Sequence, residues 1–185
     1  MPPKIRITKE DILSAAVEII RQEGAAALNA RAIASSLHCS TQPIFSNFES
    51  MDTLRTAVID TADNLCRTYR MQEENTGIYP PYKAHGMAYI RFAKEEKELF
   101  KLLYMRDRTE ENTLQPDGDM QMETIVQHNT GLNGTDAKLF HLEMWAYVHG
   151  IAAMFATGYL DLDWELVSQM LTDAYQGLRK QHKTE

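Results

Sequence analysis

The 185-residue sequence lacks the features that mark several large classes of protein. It has only two cysteines, Cys39 and Cys66, which is too few for a disulfide framework or a four-ligand zinc site. We expect both to be reduced structural thiols. No stretch approaches the roughly 20 consecutive apolar residues that a membrane-spanning helix needs, and the N-terminal residues contain no apolar signal core. These absences predict a soluble cytoplasmic protein.

The sequence also lacks an excess of basic residues. It contains 19 Lys and Arg against 26 Asp and Glu, which gives a formal net charge of -7. Because neutralising phosphates requires clustered Lys and Arg, this balance argues against a protein that coats nucleic acid non-specifically. It leaves room for a small DNA-reading surface, since the acidic excess lies mostly after residue 60.

Sustained alternation of apolar and polar residues, the pattern of a half-buried strand, is missing as well. Helical periodicity runs through the whole chain and predicts an all-α fold of about nine helices. The first helix is expected to begin with a capping box formed by Thr8 and Asp11, and to end at Gly24. Asn29 and Ser40 are the predicted N-caps of two short helices. Longer helices are predicted from about residue 51 and near 81–94, 96–105, 119–130, 135–158 and 163–181, with a polar loop over 106–119.

The third helix has the polar outer face that a DNA-reading helix requires. Two short helices braced by a preceding helix let the second one project into a major groove. Ile44, Phe45 and Phe48 are expected to face the core, and Pro43 falls in the first turn, where a missing amide hydrogen costs nothing. The outer face offers small hydroxyls and amides suited to base edges and phosphates, from Ser40, Thr41, Gln42, Ser46 and Asn47.

The pattern of these helices is similar to that of a known family. It is carried by Ile12, Ala15, Ala16, Gly24, Ala32, Ile33, Ala34, Ser40, Ile44, Phe45, Phe48 and Leu54. Together these residues resemble the DNA-binding domain of TetR/AcrR-type transcriptional regulators. Trp145, His149 and Gly150 are similar to the Trp-His-Gly (WHG) signature of one ligand-domain subgroup. The resemblance implies a helix-turn-helix domain over residues 1–50 and a helical effector-binding and dimerisation domain over residues 51–185.

The resemblance also implies a set of DNA contacts. Arg31 matches a position that can reach a base or a phosphate, Gln42 can read adenine, and the Pro43 ring can touch a thymine methyl group. Lys4 and Arg6 form a basic arm suited to the DNA backbone or the minor groove. The full predicted DNA-binding set is Lys4, Arg6, Arg31, Thr41, Gln42, Pro43, Phe45, Ser46 and Asn47.

Three residues depart from the family pattern. Phe45 stands where the family usually has Tyr, and Met51 replaces a common Lys, so a hydroxyl and a cation that could contact phosphate are missing. We therefore expect weaker and less salt-sensitive DNA binding than in the family, although the N-terminus of the fourth helix can still hold a phosphate. His38 stands where Gly usually makes the turn, which implies a left-handed non-glycine residue or an altered turn.

The second domain carries many aromatic and methionine side chains, which suit a pocket for a small effector. The predicted ligand-binding residues are Tyr89, Phe92, Phe100, Leu103, Tyr104, Met120, Trp145 and His149. The alternative for each of them is plain core packing. His141 and His149 lie two helical turns apart, about 12 Å, which is too far for one zinc ion. We expect no metal and no cofactor, and no enzyme, because no catalytic motif is present.

The last two helices are expected to form a dimer interface. The eighth is rich in small residues that allow close helix approach, and the ninth has an apolar stripe. The predicted interface residues are Ala152, Ala156, Val167, Met170, Leu171, Ala174 and Leu178. The alternative is that both stripes face the domain's own core.

These observations predict a homodimeric transcriptional regulator, a repressor that binds a palindromic DNA operator and is released by a small-molecule effector. Leu54, Val58 and Leu65 of the fourth helix are expected to transmit the change. The alternative function is a helical small-molecule binding or adaptor protein that has lost DNA binding.

Overall fold

The computed structural model describes residues 7–107 and 119–182, without the side chains of residues 119–121 and 123. These residues form nine α-helices and no strand, so the predicted all-α fold is confirmed. The helices are α1 (Lys9–Glu23), α2 (Ala30–Ser36), α3 (Gln42–Asn47), α4 (Met51–Thr76), α5 (Pro81–Glu95), α6 (Lys97–Tyr104), α7 (Asp119–Thr130), α8 (Gly134–Thr157) and α9 (Trp164–Gln181). A single 3-10 turn, Ala25–Ala27, follows α1. Most of the predicted polar loop lies outside the described residues.

The chain divides into two compact units. The first contains Met1–Arg67 together with Glu96–Arg106, and the second contains Thr68–Glu95 together with Asp107–Glu185. Helix α4 therefore contributes to both units, and α6 belongs to the first. The predicted division of function between residues 50 and 51 stays a prediction.

The first unit is built on an apolar interior. The α1 capping box is confirmed, since the Thr8 hydroxyl accepts from the Asp11 amide at 3.1 Å and the Thr8 amide donates to the Asp11 carboxylate at 2.8 Å. Leu54, Val58, Ala62 and Cys66 form the buried stripe of α4 in this unit, whereas Leu65 is only half-buried. The other fully buried large side chains of this unit are Ile12, Ile20, Ile33, Ile44, Leu99 and Phe100.

Helix α6 is attached to α1 by an ion pair as well as by apolar packing. The Arg21 guanidinium donates two hydrogen bonds to the Glu96 carboxylate, at 2.8 Å and 2.7 Å. This two-bond geometry fixes the orientation of both groups. The start of α6 is thereby held on the last turn of α1.

The second unit is a bundle in which α8 packs against α5, α7 and α9. Gly86 on α5 makes the close packing possible. A Cβ atom at this position would lie 3.1 Å from Leu171 Cδ2 and 3.4 Å from Val148 Cγ2. The apolar centre at the α7 end consists of Val126, Ala137, Phe140 and Met144, with Tyr82, Leu132, Ala174, Tyr175 and Leu178 packed against it.

Candidate functional site

Helix α3 is held by two buried side chains that project from one side of it. Ile44 is 0% exposed and Phe48, its C-terminal cap, is 3% exposed. Pro43 lies in the first turn, as predicted. The predicted N-cap was wrong, because the cap is Thr41 rather than Ser40, and its side chain makes no capping bond. Burial of Ile44 and Phe48 therefore sets which face of this six-residue helix points outward.

The turn from α2 to α3 depends on a residue in the left-handed region. His38 has a φ of 50°, so the first of the two predicted alternatives is confirmed. The Cys39 amide donates to the Ala34 carbonyl at 2.9 Å, and the His38 amide donates to the Ser35 carbonyl at 3.2 Å. These two bonds are those of a Schellman motif, whose left-handed position normally favours glycine. Asn29 caps the other end of α2, as predicted, by accepting from the Arg31 and Ala32 amides.

The predicted DNA-contacting side chains of α2 and α3 differ in whether their hydrogen-bond donors are already used within the chain. The Ser46 hydroxyl donates to the Gln42 carbonyl at 2.9 Å, and the Asn47 amide donates to the Pro43 carbonyl at 2.8 Å. Among the described residues, the side chains of Arg31, Thr41 and Gln42 make no such bond. Arg31 and Gln42 are also exposed. Of the described members of the predicted set, these three have side-chain donors that no described residue occupies.

Phe45 does not pack into the core as its apolar character predicted. It is 50% exposed, whereas Ile44 and Phe48 on the same helix are buried. In a short helix, two anchors one turn apart already occupy the inward side, and Phe45 lies about 100° from Ile44 and about 60° from Phe48 at 100° per residue. Its ring is therefore part of the outward surface with Gln42. Lys4 and Arg6, the predicted basic arm, lie outside the described residues.

In the second unit, the structure brings together three of the predicted ligand-binding residues. The Tyr89 hydroxyl lies 2.9 Å from His149 Nδ1, and the Trp145 ring stacks on the His149 ring with centroids 5.0 Å apart and planes 17° apart. Burial lowers the pKa of His149. Phe92 is buried in the same unit, with its ring 5.4 Å from that of Tyr69.

The other predicted ligand-binding residues are placed differently. Phe100, Leu103 and Tyr104 are on α6 and belong to the first unit. There the Phe100 and Tyr104 rings are 5.1 Å apart, and the Tyr104 hydroxyl lies 3.4 Å from the Cys66 sulfur. The side chain of Met120 lies outside the described residues.

A cluster of polar side chains in the second unit was not identified from the sequence. Tyr82 contacts His141, with its hydroxyl 3.0 Å from Nδ1, and the carboxylate of Glu73 is buried against the Arg91 guanidinium at 2.9 Å. His85 has its pKa lowered to about 4, first by burial and then by the positive charge of Arg70 and His141. The spacing of Tyr82, His85 and Tyr89 on one helical face was the signal that could have indicated it.

The predicted dimer-interface residues mostly face the interior of their own unit. Ala152, Ala156, Val167 and Leu171 are buried, and Ala174 and Leu178 pack against the apolar centre near Phe140. A side chain that is buried within its own chain has little surface left for a partner, so the assignment is corrected for Ala152, Ala156, Val167 and Leu171. Ala174 and Leu178 are only half-buried, and their assignment stays a prediction. Met170, the remaining residue of the predicted set, is half-buried on α9 and is not part of this apolar centre.

The opposite face of α8 is also apolar, and it is accessible. Leu139, Leu142, Ala146, Tyr147 and Met154 are exposed, and Gly150 and Ala153 are half-buried. The carboxylate on this face, Glu143, lies 2.9 Å from His182 Nε2. On α9, exposed Leu166 lies one turn before Met170. A helix that is apolar on both sides indicates a second packing partner for its outer side.

Comparisons with known proteins agree with this architecture. Residues 12–58 match the family described as "Bacterial regulatory proteins, tetR family", and residues 82–175 match "Tetracyclin repressor-like, C-terminal domain". A solved structure described as a TetR-like transcriptional regulator from Rhodococcus sp. RHA1 is similar, with a TM-score of 0.69 and 17% identity. The match covers 96% of this chain and 98% of that chain, and at this identity it shows the fold. No curated protein matches the chain.

The helix-turn-helix unit and the helical C-terminal region define a DNA-binding transcriptional regulator. The two family matches together cover most of the chain, which belongs to the TetR family. The WHG subgroup stays a prediction, carried by Trp145, His149 and Gly150. Regulators of this family are generally non-enzymatic. Within the described residues, no helix is both long and apolar enough to cross a membrane.

Proposed function

We propose that this TetR-family protein is a homodimeric repressor that binds a palindromic operator and is released from it by a small-molecule effector. The observation that carries the proposal is the outward face of α3, where exposed Gln42 and Phe45 stand above the buried anchors Ile44 and Phe48. Arg31 at the start of α2 adds an exposed guanidinium. An amide of this kind suits adenine, and a guanidinium suits guanine or phosphate.

The operator can be found by selection from genomic DNA. Purified protein is mixed at low salt with fragmented DNA from its own genome, and the bound fragments are sequenced. We expect a recurrent palindrome whose half-sites are separated by about 34 to 36 Å or a multiple of it. Absence of enrichment from folded, dimeric protein would contradict operator binding and favour the alternative, a ligand-binding or adaptor protein without DNA affinity.

Two substitutions then test whether α2 and α3 read this DNA. Arg31→Ala and Gln42→Ala are each expected to weaken operator binding by about 10-fold, since a good side-chain contact with a base contributes about 1 to 3 kcal/mol. Gln72→Ala removes another exposed glutamine, on α4 in the second unit, and serves as the matched control. Equal affinity of the Gln42→Ala and Gln72→Ala variants would show that α3 is not the reading helix.

The proposed dimer forms through the outer face of α8 with Leu166 and Met170 of α9. Gly150 lies on this face, and a Cβ atom there would meet no atom within 4 Å of the described chain. The Cβ atom of Gly150→Arg therefore causes no clash within the described chain, and the variant is expected to keep its fold while placing a charge in the contact between two chains. We expect the variant to be a folded monomer in analytical ultracentrifugation, whereas Thr135→Arg, at an exposed position at the start of α8, remains dimeric. A dimeric Gly150→Arg variant would contradict this interface.

Effector release is proposed to act as a shift between two conformations. An effector that favours the weaker-binding conformation lowers operator affinity by its difference in affinity for the two, typically about 1 to 3 kcal/mol or 5- to 150-fold. The α1–α6 contact made by Arg21 and Glu96 supports a route to the DNA-reading unit in addition to the α4 residues Leu54, Val58 and Leu65. Arg21→Ala is expected to reduce the effect of an effector on operator affinity more than it reduces the affinity itself. Unchanged coupling would exclude this contact from the route.

A further inference from the structure

Helices α5 and α8 face each other along a row of aromatic and imidazole side chains. Tyr82, His85 and Tyr89 are three and four residues apart, which places them on one face of α5. His141, Trp145 and His149 form the corresponding stripe of α8, each four residues from the next. We call these six residues the imidazole seam. It lies wholly within the second unit.

Both ends of the imidazole seam are closed by a hydrogen bond between a tyrosine and a histidine. The Tyr82 hydroxyl lies 3.0 Å from His141 Nδ1, and the Tyr89 hydroxyl lies 2.9 Å from His149 Nδ1. Because both pairs advance in the same direction along the two helices, His85 falls between them. Trp145 also lies between the two ends, with its ring stacked on His149 at 5.0 Å. The seam therefore has fixed ends and a middle formed by an imidazole and a flat indole.

His85, in the middle of the seam, makes no hydrogen bond with any described residue. Its charged neighbours are cations or cation-forming groups, namely Arg70 on α4 and His141 on α8. Lys83, on the same helix, is occupied by the Thr172 hydroxyl at 2.8 Å and by the Tyr79 ring. The buried carboxylate of Glu73 contacts Arg91 at 2.9 Å. The two charged groups that act on His85 are therefore a cation and a cation-forming group, and no described residue gives His85 a carboxylate partner.

We propose that the imidazole seam binds the effector as an organic carboxylate, with the anionic group against His85 and Arg70 and a flat apolar body against the Trp145–His149 stack. The proposal rests on the proposed function, since it takes the second unit to be the effector domain. Arg70 supplies a permanent charge and His85 a donor that becomes cationic when an anion approaches. The two closing tyrosine–histidine pairs hold the side chains of the seam in place.

A carboxylate beside His85 changes the protonation of the imidazole. In the unliganded protein, burial and the neighbouring cations lower the pKa of His85 to about 4, so the ring is neutral at pH 7. A negative charge in contact with the ring stabilises its protonated form and raises this pKa. Binding is therefore accompanied by proton uptake, which a neutral ligand does not cause. Tyr82, His141 and Arg70 are the other titratable or charged groups facing this part of the seam.

The test compares acids with their uncharged amides on the full-length dimer. The probes are benzoate and 3-phenylpropanoate, each paired with its amide, and binding is measured by isothermal titration calorimetry in two buffers of different ionisation enthalpy at pH 7. We expect each acid to bind at least about tenfold more tightly than its amide, because hydrogen bonds to charged groups are the stronger ones. The difference between the buffers should show uptake of up to one proton per site for the acids.

Substitutions assign this behaviour to His85. His85→Gln is expected to lower acid affinity about tenfold and to abolish proton uptake, and His128→Gln, at an exposed position on α7, should change neither. His85→Asn provides a second variant if His85→Gln fails to fold. Acids and amides of equal affinity, binding without proton uptake, uptake that persists in both His85 variants, or no binding by any probe would overturn the inference.

The readouts separate this inference from the proposed function. If the acids bind with proton uptake but leave operator affinity unchanged, the carboxylate site stands and effector release fails. If the protein binds its operator but shows no preference for acids over amides, the repressor proposal stands and the carboxylate site fails.

Discussion

The two units place their polar side chains in opposite ways. Among the described residues, every buried polar or charged residue belongs to the second unit, namely Glu73, Thr130 and His141. The interior of the first unit is mainly apolar and contains Ile12, Ile20 and Ile44, and polar side chains of α2 and α3 such as Arg31 and Gln42 lie on its outside.

This difference follows from where each unit meets its proposed partner. A surface that reads DNA needs exposed polar groups held at fixed positions, and a rigid apolar interior holds them there. A site that encloses a small molecule needs polar groups inside, where they lose their hydration and must find partners. The first unit should therefore respond mainly to changes in packing, and the second also to changes in pH.

The largest expected effect is loss of packing in the first unit. Ile44→Ala removes a side chain that is fully buried beneath α3. It should lower the free energy of unfolding by about 2 to 5 kcal/mol, because both the apolar contact and a cavity contribute. Urea unfolding at pH 5 and pH 7 should show the same loss at both values. A loss confined to one pH would contradict the view that Ile44 stabilises this unit through apolar packing alone.

The next effect is acid sensitivity of the second unit through His85. Its pKa is about 4 in the folded chain and about 6.5 when unfolded, so between these values the unfolded chain binds more protons. The contribution to stability is therefore nearly full above about pH 7 and falls as the pH decreases, by about 1.5 kcal/mol between pH 6.5 and 5.

Carboxylates also make the free energy of unfolding depend on pH, so a variant that lacks His85 is needed to isolate the contribution of this histidine. In His85→Gln, the decline in unfolding free energy between pH 6.5 and 5 should be smaller than in the wild type by about 1.5 kcal/mol. His128→Gln is the control and should follow the wild-type curve. Parallel curves for the wild type and His85→Gln would show that His85 is not held neutral by its surroundings.

A smaller effect is expected where the outer face of the first unit departs from its family. Phe45→Tyr supplies a hydroxyl and should strengthen operator binding by about two- to tenfold, the effect of one neutral hydrogen bond. Met51→Lys supplies a cation and should also steepen the dependence of log affinity on log salt concentration by about 0.9. Fluorescence anisotropy over a series of salt concentrations separates the two. A steeper salt dependence of operator affinity in Phe45→Tyr would contradict the view that the hydroxyl adds only one neutral hydrogen bond.

The smallest effect concerns the turn that orients α3. His38→Gly should raise the free energy of unfolding by about 0.5 to 1 kcal/mol, since glycine adopts the left-handed conformation without the steric cost that a side chain has. Ser35→Gly, within α2, is the matched control and should lower it by a similar amount. Thermal unfolding of both variants measures the difference. Destabilisation by His38→Gly would indicate that the imidazole itself stabilises the turn.

Much of the fold could be predicted from local signals. The capping residues Thr8 and Asn29, the stop at Gly24 and the left-handed option at His38 all depend on a few neighbouring residues, and the structure agrees with each. The predicted start of α3 was wrong by one residue. Ser40 and Thr41 are both acceptable N-caps, and the geometry of the preceding turn decides which of them caps the helix.

Which face of a helix is buried was harder to predict than whether the helix forms. Phe45 looked like a core residue by its hydrophobicity, but Ile44 and Phe48 had already filled the inward side. Helix α8 is apolar on both sides, so its sequence could not show that Ala152 and Ala156 point inward while Ala146 and Gly150 point outward. Which face is buried depends on the neighbouring helices and not on the residues of α8 alone.

Single residues of the second unit were the least predictable. No local pattern indicates that His85 and Arg70 approach each other, since they lie on different helices. The aromatic residues of α6 looked like ligand contacts because they are near those of α5 in sequence, yet α6 belongs to the first unit. Only the tertiary structure shows that the aromatic residues of α5 and those of α6 belong to different units.

The outer face of α8 has a consequence for genetics. If two chains join through this face, a variant with a damaged α3 and an intact α8 still pairs with normal chains. Each mixed dimer then has one functional half and cannot hold both halves of a palindrome. A second gene copy whose α3 no longer binds DNA would thus act as a dominant mutation, and adding Gly150→Arg to the same copy would make it recessive.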